Sequence, residues 1–116
     1  MTGWETFTFE GKTAIPKLTI RKGGQIGLNS MAVKKFKLDK FKFIILQINK
    51  EETKIGIKPT NNENEEGARK FKIIQGGATI HAKNFIEYYE LNKIKERRMI
   101  CDWDEENKMI FVKYSK

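Results

Sequence analysis

Residues 21 to 38 read RKGGQIGLNSMAVKKFKL, and their polar side chains are of the kinds that engage phosphate and nucleobase edges. Arg21 offers a planar fork of donors that matches guanine or a phosphate bidentately, while Lys22, Lys34 and Lys35 are point charges suited to phosphate oxygens. Gln25 adds an amide able to bond a base edge. Gly23 and Gly24 mark a turn, because glycine adopts positive φ without steric cost. Solvation of the outer face of a short helix accounts equally well for Lys34, Lys35 and Lys37.

Other chemistries find less support. The single histidine, His81, has no acid or nucleophile at a fixed spacing and sits on an alternating stretch, which fits a surface residue better than a general base. Asp102 and Asp104 share a face if CDWD is a strand, but beside the DEEN turn they read as a solvated end rather than a metal site. Cys101 is the only cysteine, so no internal disulfide forms, and its spacing from His81 matches no zinc pattern. The glycine pairs lack the Lys-Ser/Thr or GxGxxG context of a nucleotide cradle. The expectation is a non-enzymatic protein with no cofactor and no metal.

Charge points the same way. From Gly11 to Thr60 twelve Lys/Arg face three Asp/Glu, a net of +9, whereas from Asn61 to Lys116 eleven face ten, a net of +1. A basic surface of this kind suits a polyanion, because each neutralised phosphate releases condensed counterions. Solubility alone also explains a lysine-rich surface, so charge leaves the partner open.

The elements that must position these residues are short. WETFTFEG alternates apolar and polar residues at Phe7 and Phe9, and PKLTIRK follows with Pro16 at a strand start. After the Gly-Gly turn QIGL alternates again, sending Ile26 and Leu28 to one face. Asn29 or Ser30 caps a short helix whose inner side carries Ala32 and Phe36. FKFIILQIN, a turn at KEET and KIGIK then read as a hairpin. The apolar run at 43–48 is too short to span a bilayer. PTNNENEEGA, at 59–68, has no large apolar side chain and reads as a linker.

Beyond that linker the pattern returns. An offset of 54 residues places Gly23 on Gly77, Ile26 on Ile80 and EETKIGIK on EENKMIFV, so two strand–helix–hairpin units are expected. The division is an N-terminal strand extension at 1–16, unit one at 17–58, a linker at 59–69 and unit two at 70–116. The predicted core is Ile20, Ile26, Leu28, Phe36, Leu38, Ile45, Ile55, Ile57, Ile73, Ile80, Phe85, Ile86, Leu91, Ile100, Met109 and Phe111. Trp4, Phe7 and Phe9 lie outside the repeat, where they would cover one end of the fold or pair with a second copy.

The stretch from Gly24 to Leu38 resembles the swapped-hairpin domain of AbrB and SpoVT-type transcription factors, whose pattern is a strand, Gly-Arg-apolar-x-apolar-Pro, a short helix and an apolar end. Gln25 stands where that family has Arg and Asn29 where it has Pro. The resemblance implies a mainly β fold with short helices, a cradle-loop or double-psi-like β-barrel, here built from two tandem units in one chain. It also implies DNA binding through residues before the glycine turn and in the helix, which here are Arg21, Lys22 and Lys34 with Lys35 beside it; Gln25, in place of the family's Arg, is positioned to bond a base edge. Double-stranded DNA is the partner implied, with a homodimer as a further possibility.

Two other readings stand beside this one. Tyr88 and Tyr89 could stack unpaired bases in a single-strand binder, although adjacent tyrosines on a short helix ordinarily place one ring in the core and one outside. A protein-interaction module with incidental basicity is the other. With one cysteine and an N-terminus lacking the regions of a signal peptide, the sequence reads as cytoplasmic.

Overall fold

The computed structural model describes Gly3 and residues 15–115. The expectations for Trp4, Phe7 and Phe9 lie outside the described residues. Among the described residues ten strands form two five-stranded antiparallel sheets, joined by two short helices and two 3₁₀ turns. Among the described residues no helix is long and apolar enough to cross a membrane.

Strand β1 (Lys17–Ile20) buries Leu18 and Ile20 and turns Lys17 and Thr19 outward, as period-two alternation requires. Gly24, at φ +87°, closes the turn into β2 (Gln25–Leu28), which returns antiparallel with Ile20 opposite Ile26. Asn29 then caps helix α1 (Ser30–Lys35), its Oδ1 accepting from the Ala32 amide at 3.0 Å. The same oxygen accepts from the Lys17 amide at 3.0 Å, and Nδ2 donates to the Ile15 carbonyl at 2.8 Å. Asn29 thereby ties the helix to the start of β1, beyond the roughly 1 kcal/mol of an ordinary cap. Lys37, left-handed at φ 55°, ends the helical turn and leads into the 3₁₀ turn Leu38–Lys40. The expected hairpin follows as β3 (Phe43–Asn49) and β4 (Lys54–Thr60).

The second half repeats this order. Strands β5 (Arg69–Lys70) and β6 (Lys72–Ile74) lead through a Gln75-Gly76 turn to β7 (Gly77–His81), helix α2 (Lys83–Tyr88) and the 3₁₀ turn Leu91–Lys93. Strands β8 (Arg98–Ile100), β9 (Asp102–Asp104) and β10 (Met109–Lys113) complete it. β4 runs to Thr60 and β5 begins at Arg69, so the acidic stretch between them is the connection. Within it Thr60 Oγ1 donates to Glu65 at 2.9 Å.

One sheet has the order β6-β7-β2-β1-β8 and the other β5-β3-β4-β10-β9. β5 and β6 are separated by Phe71 alone, and β8 and β9 by Cys101 alone, so each of these chain segments passes from an edge of one sheet to an edge of the other. The hydrogen-bond ladders break at those two corners. The predicted β-barrel is therefore corrected: the protein is mainly β, with two packed sheets rather than one closed barrel.

Between the sheets lie Leu18, Ile20, Ile26, Leu28, Leu38, Ile44, Ile55, Ile57, Ile80, Leu91, Ile110 and Val112, all buried. Several predicted core positions fall elsewhere. Met109 and Phe111 are only half-buried, because β10 pairs with β4 through Ile57–Ile110 and Ile55–Val112. That register corresponds to an offset of 55 residues, and the one-residue difference moves every side chain of the strand to the opposite face. Ile100 is 63% exposed because its neighbours Met99 and Cys101 take the inward positions. Ile73 faces inward opposite Ala78 but stands on edge strand β6, which leaves it 44% exposed. Phe85 is half-buried, packed against the core from α2.

Candidate nucleic-acid interface

The outer face of the β6-β7-β2-β1-β8 sheet gathers the most informative residues. Backbone pairing aligns Lys72 with Thr79, Thr79 with Gly27, Gly27 with Thr19, and Thr19 with Arg98, a row that crosses all five strands. These positions face out because their neighbours Ala78, Ile80, Ile26, Leu28, Leu18, Ile20 and Met99 face in. At an interstrand spacing of about 4.8 Å, Lys72 and Arg98 mark the ends of a row roughly 19 Å long. No strand of this sheet contains Asp or Glu.

Arg21 supplies the centre of that row. It follows β1 in the outward phase, and its guanidinium lies across the face at Gly27, where an added Cβ would strike Nη2. Its Nη1 donates to Thr79 Oγ1 at 3.2 Å and, more weakly, to Gln25 Oε1 at 3.4 Å. Glycine in the middle of a strand is unfavourable for the strand itself, and here its missing side chain is what lets the arginine lie flat. Lys17, Gln25 and His81 continue the outward positions, and Ile74 and Ile100 stand exposed at the margins, at 55% and 63%.

The predicted site residues do not all gather here. Arg21 and Gln25 meet directly, and Lys22 adjoins them on the exposed turn. Lys34 and Lys35 lie on α1, which follows Leu28 at the opposite end of β2 from Gln25. Lys35 instead sits 5.9 Å from the Phe36 ring, whose face stacks on Trp103 with centroids 5.9 Å apart. The β1–β2 turn packs on the helix of the second half: the Ala82 amide donates to the Gly24 carbonyl at 2.9 Å. A Cβ at Gly24 would lie 2.7 Å from Lys83 Cβ. The reverse contact brings the Gln75-Gly76 turn beside Ser30. Crossing over in this way spreads the basic residues of unit one over both ends of the central β2–β7 pair.

Sequence reasoning missed Lys72, Arg98 and Lys17 as partners of Arg21. Their outward phase was visible in the alternation, but the order of strands that sets them in one row was not. Tyr88 is 77% exposed with its ring edge-on to Tyr89 at 4.8 Å, while Tyr89 packs against the core, the division expected for adjacent tyrosines. His81 is exposed, and its carbonyl accepts from Arg69 at 2.9 Å.

The carboxylates at the other side of the molecule are taken up by local bonds. Asp104 accepts from the side chain and amide of Asn107, which hold its pKa below the usual carboxylate value. Glu105 accepts from Lys108 and from Trp103 Nε1, both at 2.7 Å, with the same effect. Asp102 bonds the Trp103 amide. Among the described residues no group of three or more His, Cys, Asp or Glu is arranged to hold a metal ion.

Comparison with family models, curated proteins and solved structures gives no match for this chain.

Proposed function

We propose that the protein binds double-stranded DNA, as a regulator or accessory protein, through the outer face of the sheet that carries Arg21. The observation that carries this reading is the acid-free row Lys72, Thr79, Gly27, Thr19 and Arg98 with Arg21 laid over its centre. Cations at both edges of the row reach phosphate, while Arg21, Gln25 and two threonine hydroxyls present donors and acceptors between them. The resemblance of residues 24–38 to AbrB-type domains supports the same class of partner. Lys34 and Lys35 take a secondary part in this reading, as phosphate contacts at the far end of β2.

Binding of a labelled duplex across a salt series tests it. Affinity should fall steeply as salt rises, with a log–log slope that drops by about 0.9 for each phosphate contact removed. The variant Arg21→Ala, Lys72→Ala, Arg98→Ala should flatten the slope by nearly three such contacts, and Lys34→Ala, Lys35→Ala by fewer. A folded protein that binds no duplex at low salt would refute the proposal and direct attention to a protein partner on the same face, where Ile74 and Ile100 are exposed.

A further inference from the structure

A second feature lies beside the proposed DNA face, in the angle between the Gly23-Gly24 turn and helix α2. It is a cleft of about 170 Å³ bordered by Arg21, Lys22, Lys83, Ile86, Glu87 and Asn92, with the two glycines as its floor. Three cations face one carboxylate there. Lys22 and Lys83 form no ion pair among the described residues.

The wall at Asn92 is held by another cation. Arg97 Nη2 donates to the Asn92 carbonyl at 2.7 Å, and the Arg97 carbonyl accepts from Ile20, next to Arg21, at 2.7 Å. Arg97 Nη1 is buried and has no hydrogen-bond partner among the described residues. A buried guanidinium donor without an acceptor is unfavourable, and it adds a further positive charge to the segment that carries Asn92. Gly24 is what brings the turn this close to α2, since any side chain there would strike Lys83.

We propose that this cleft binds a phosphate group, held by Lys22 and Lys83 with Arg21 at its mouth. The ligand class is a phosphate mono- or diester, supplied either by a nucleic-acid backbone or by a small phosphorylated molecule. The equivalent angle at the other end of the β2–β7 pair has Gln75 in the turn and Ser30 on the helix, and so lacks the turn cations. Cations in the turn are therefore found at one of the two ends only. The site stands whether or not the sheet face binds duplex DNA.

Inorganic pyrophosphate titrated into the full chain at low ionic strength, followed by amide NMR, tests the proposal. Gly23, Gly24 and Lys83 should shift saturably, and Gln75, Gly76 and Ser30 should not. Lys22→Ala with Lys83→Ala, both exposed positions, should weaken binding by at least about tenfold, as expected for loss of a charge-assisted contact. Lys72→Ala, on the sheet face, should leave it unchanged. The proposal is overturned by the absence of saturable shifts, by equal shifts from chloride at matched ionic strength, or by unchanged affinity in the double variant with its fold intact by circular dichroism. A short duplex that displaces pyrophosphate identifies the nucleic-acid backbone as the source of the phosphate, and a duplex that leaves it bound identifies a small phosphorylated ligand. Duplex binding lost in the Lys72→Ala, Arg98→Ala variant, which leaves every lining residue of the cleft in place, with pyrophosphate binding retained, separates the two sites.

Discussion

Each of the two sheets has an outward glycine on a central strand with a long side chain lying over it, and the two coverings differ in kind. In the β6-β7-β2-β1-β8 sheet Arg21 covers Gly27; in the β5-β3-β4-β10-β9 sheet Met109 covers Gly56, with Sδ 2.6 Å from where a Cβ would stand. One face presents a guanidinium among threonines and lysines. The other presents a thioether beside Phe111, over whose ring Lys54 Nζ sits at 4.9 Å, and its edge strand β9 carries Asp102 and Asp104. Similar strand geometry thus makes two surfaces with different partners available to them. Backbone packing sets the space, and the residue that fills it sets the chemistry.

The largest effects should fall on what the sheets share. Ile26 and Ile57 are each fully buried on a central strand, one per sheet. Ile26→Ala and Ile57→Ala should each cost about 2–5 kcal/mol in urea unfolding. A much smaller loss in one would show that the two sheets do not unfold as one cooperative unit, and would break the comparison at its root.

The corners between the sheets come next. Cys101 sits between β8 and β9, and burial pushes its thiol from 9.0 up to about 12. The folded state therefore keeps a proton that the unfolded chain releases. Its contribution is intact below pH 9 and is lost as pH rises toward 12. Alkylation at pH 8 should be far slower in the native protein than in urea, because the thiolate is the nucleophile and burial suppresses it. Rapid labelling of the native protein would mean that this corner opens locally, apart from both sheets.

The smallest effect on stability, and the sharpest test of the contrast, comes from the glycines. Gly27→Ala and Gly56→Ala each require only the far end of a flexible side chain to move, so both should stay within about 1 kcal/mol of the parent. Displacing Arg21 should weaken duplex binding severalfold, whereas displacing Met109 should not. Equal effects on binding would remove the distinction between the faces.

Much of the local structure was legible in the chain. The β1–β2 turn at Gly23-Gly24, the Asn29 cap, the β3–β4 hairpin and the inward phase of Ile26, Leu28, Ile55, Ile57 and Ile80 all follow from alternation and turn chemistry. The offset of 54 also identified Ile26 and Ile80 as equivalents, and they are opposite each other in the β2–β7 pairing. It failed on β10, where the offset is 55 and Ile110 and Val112 point inward instead of Met109 and Phe111. Nothing local marks that slip. Both phases of MIFVK place apolar residues inward, so only the ladder with β4 decides between them.

The candidate site divides in the same way. Arg21 and Gln25 are near neighbours in sequence and meet in space, so their partnership was readable. Lys72 and Arg98 join Arg21 through strand orders that link residues far apart in the chain, and the same crossing places the Gly24 turn against Lys83 rather than against α1.

The sequence by itself determined the short alternating strands, the cap of the first helix and the excess of positive charge, because each depends on residues within a turn or two of one another. Tertiary structure alone decided which strands became neighbours, where the ladders break at Phe71 and Cys101, and which cations share a face. Those outcomes depend on hydrogen-bond register between distant segments, and on the burial that one choice of register allows and its one-residue neighbour does not.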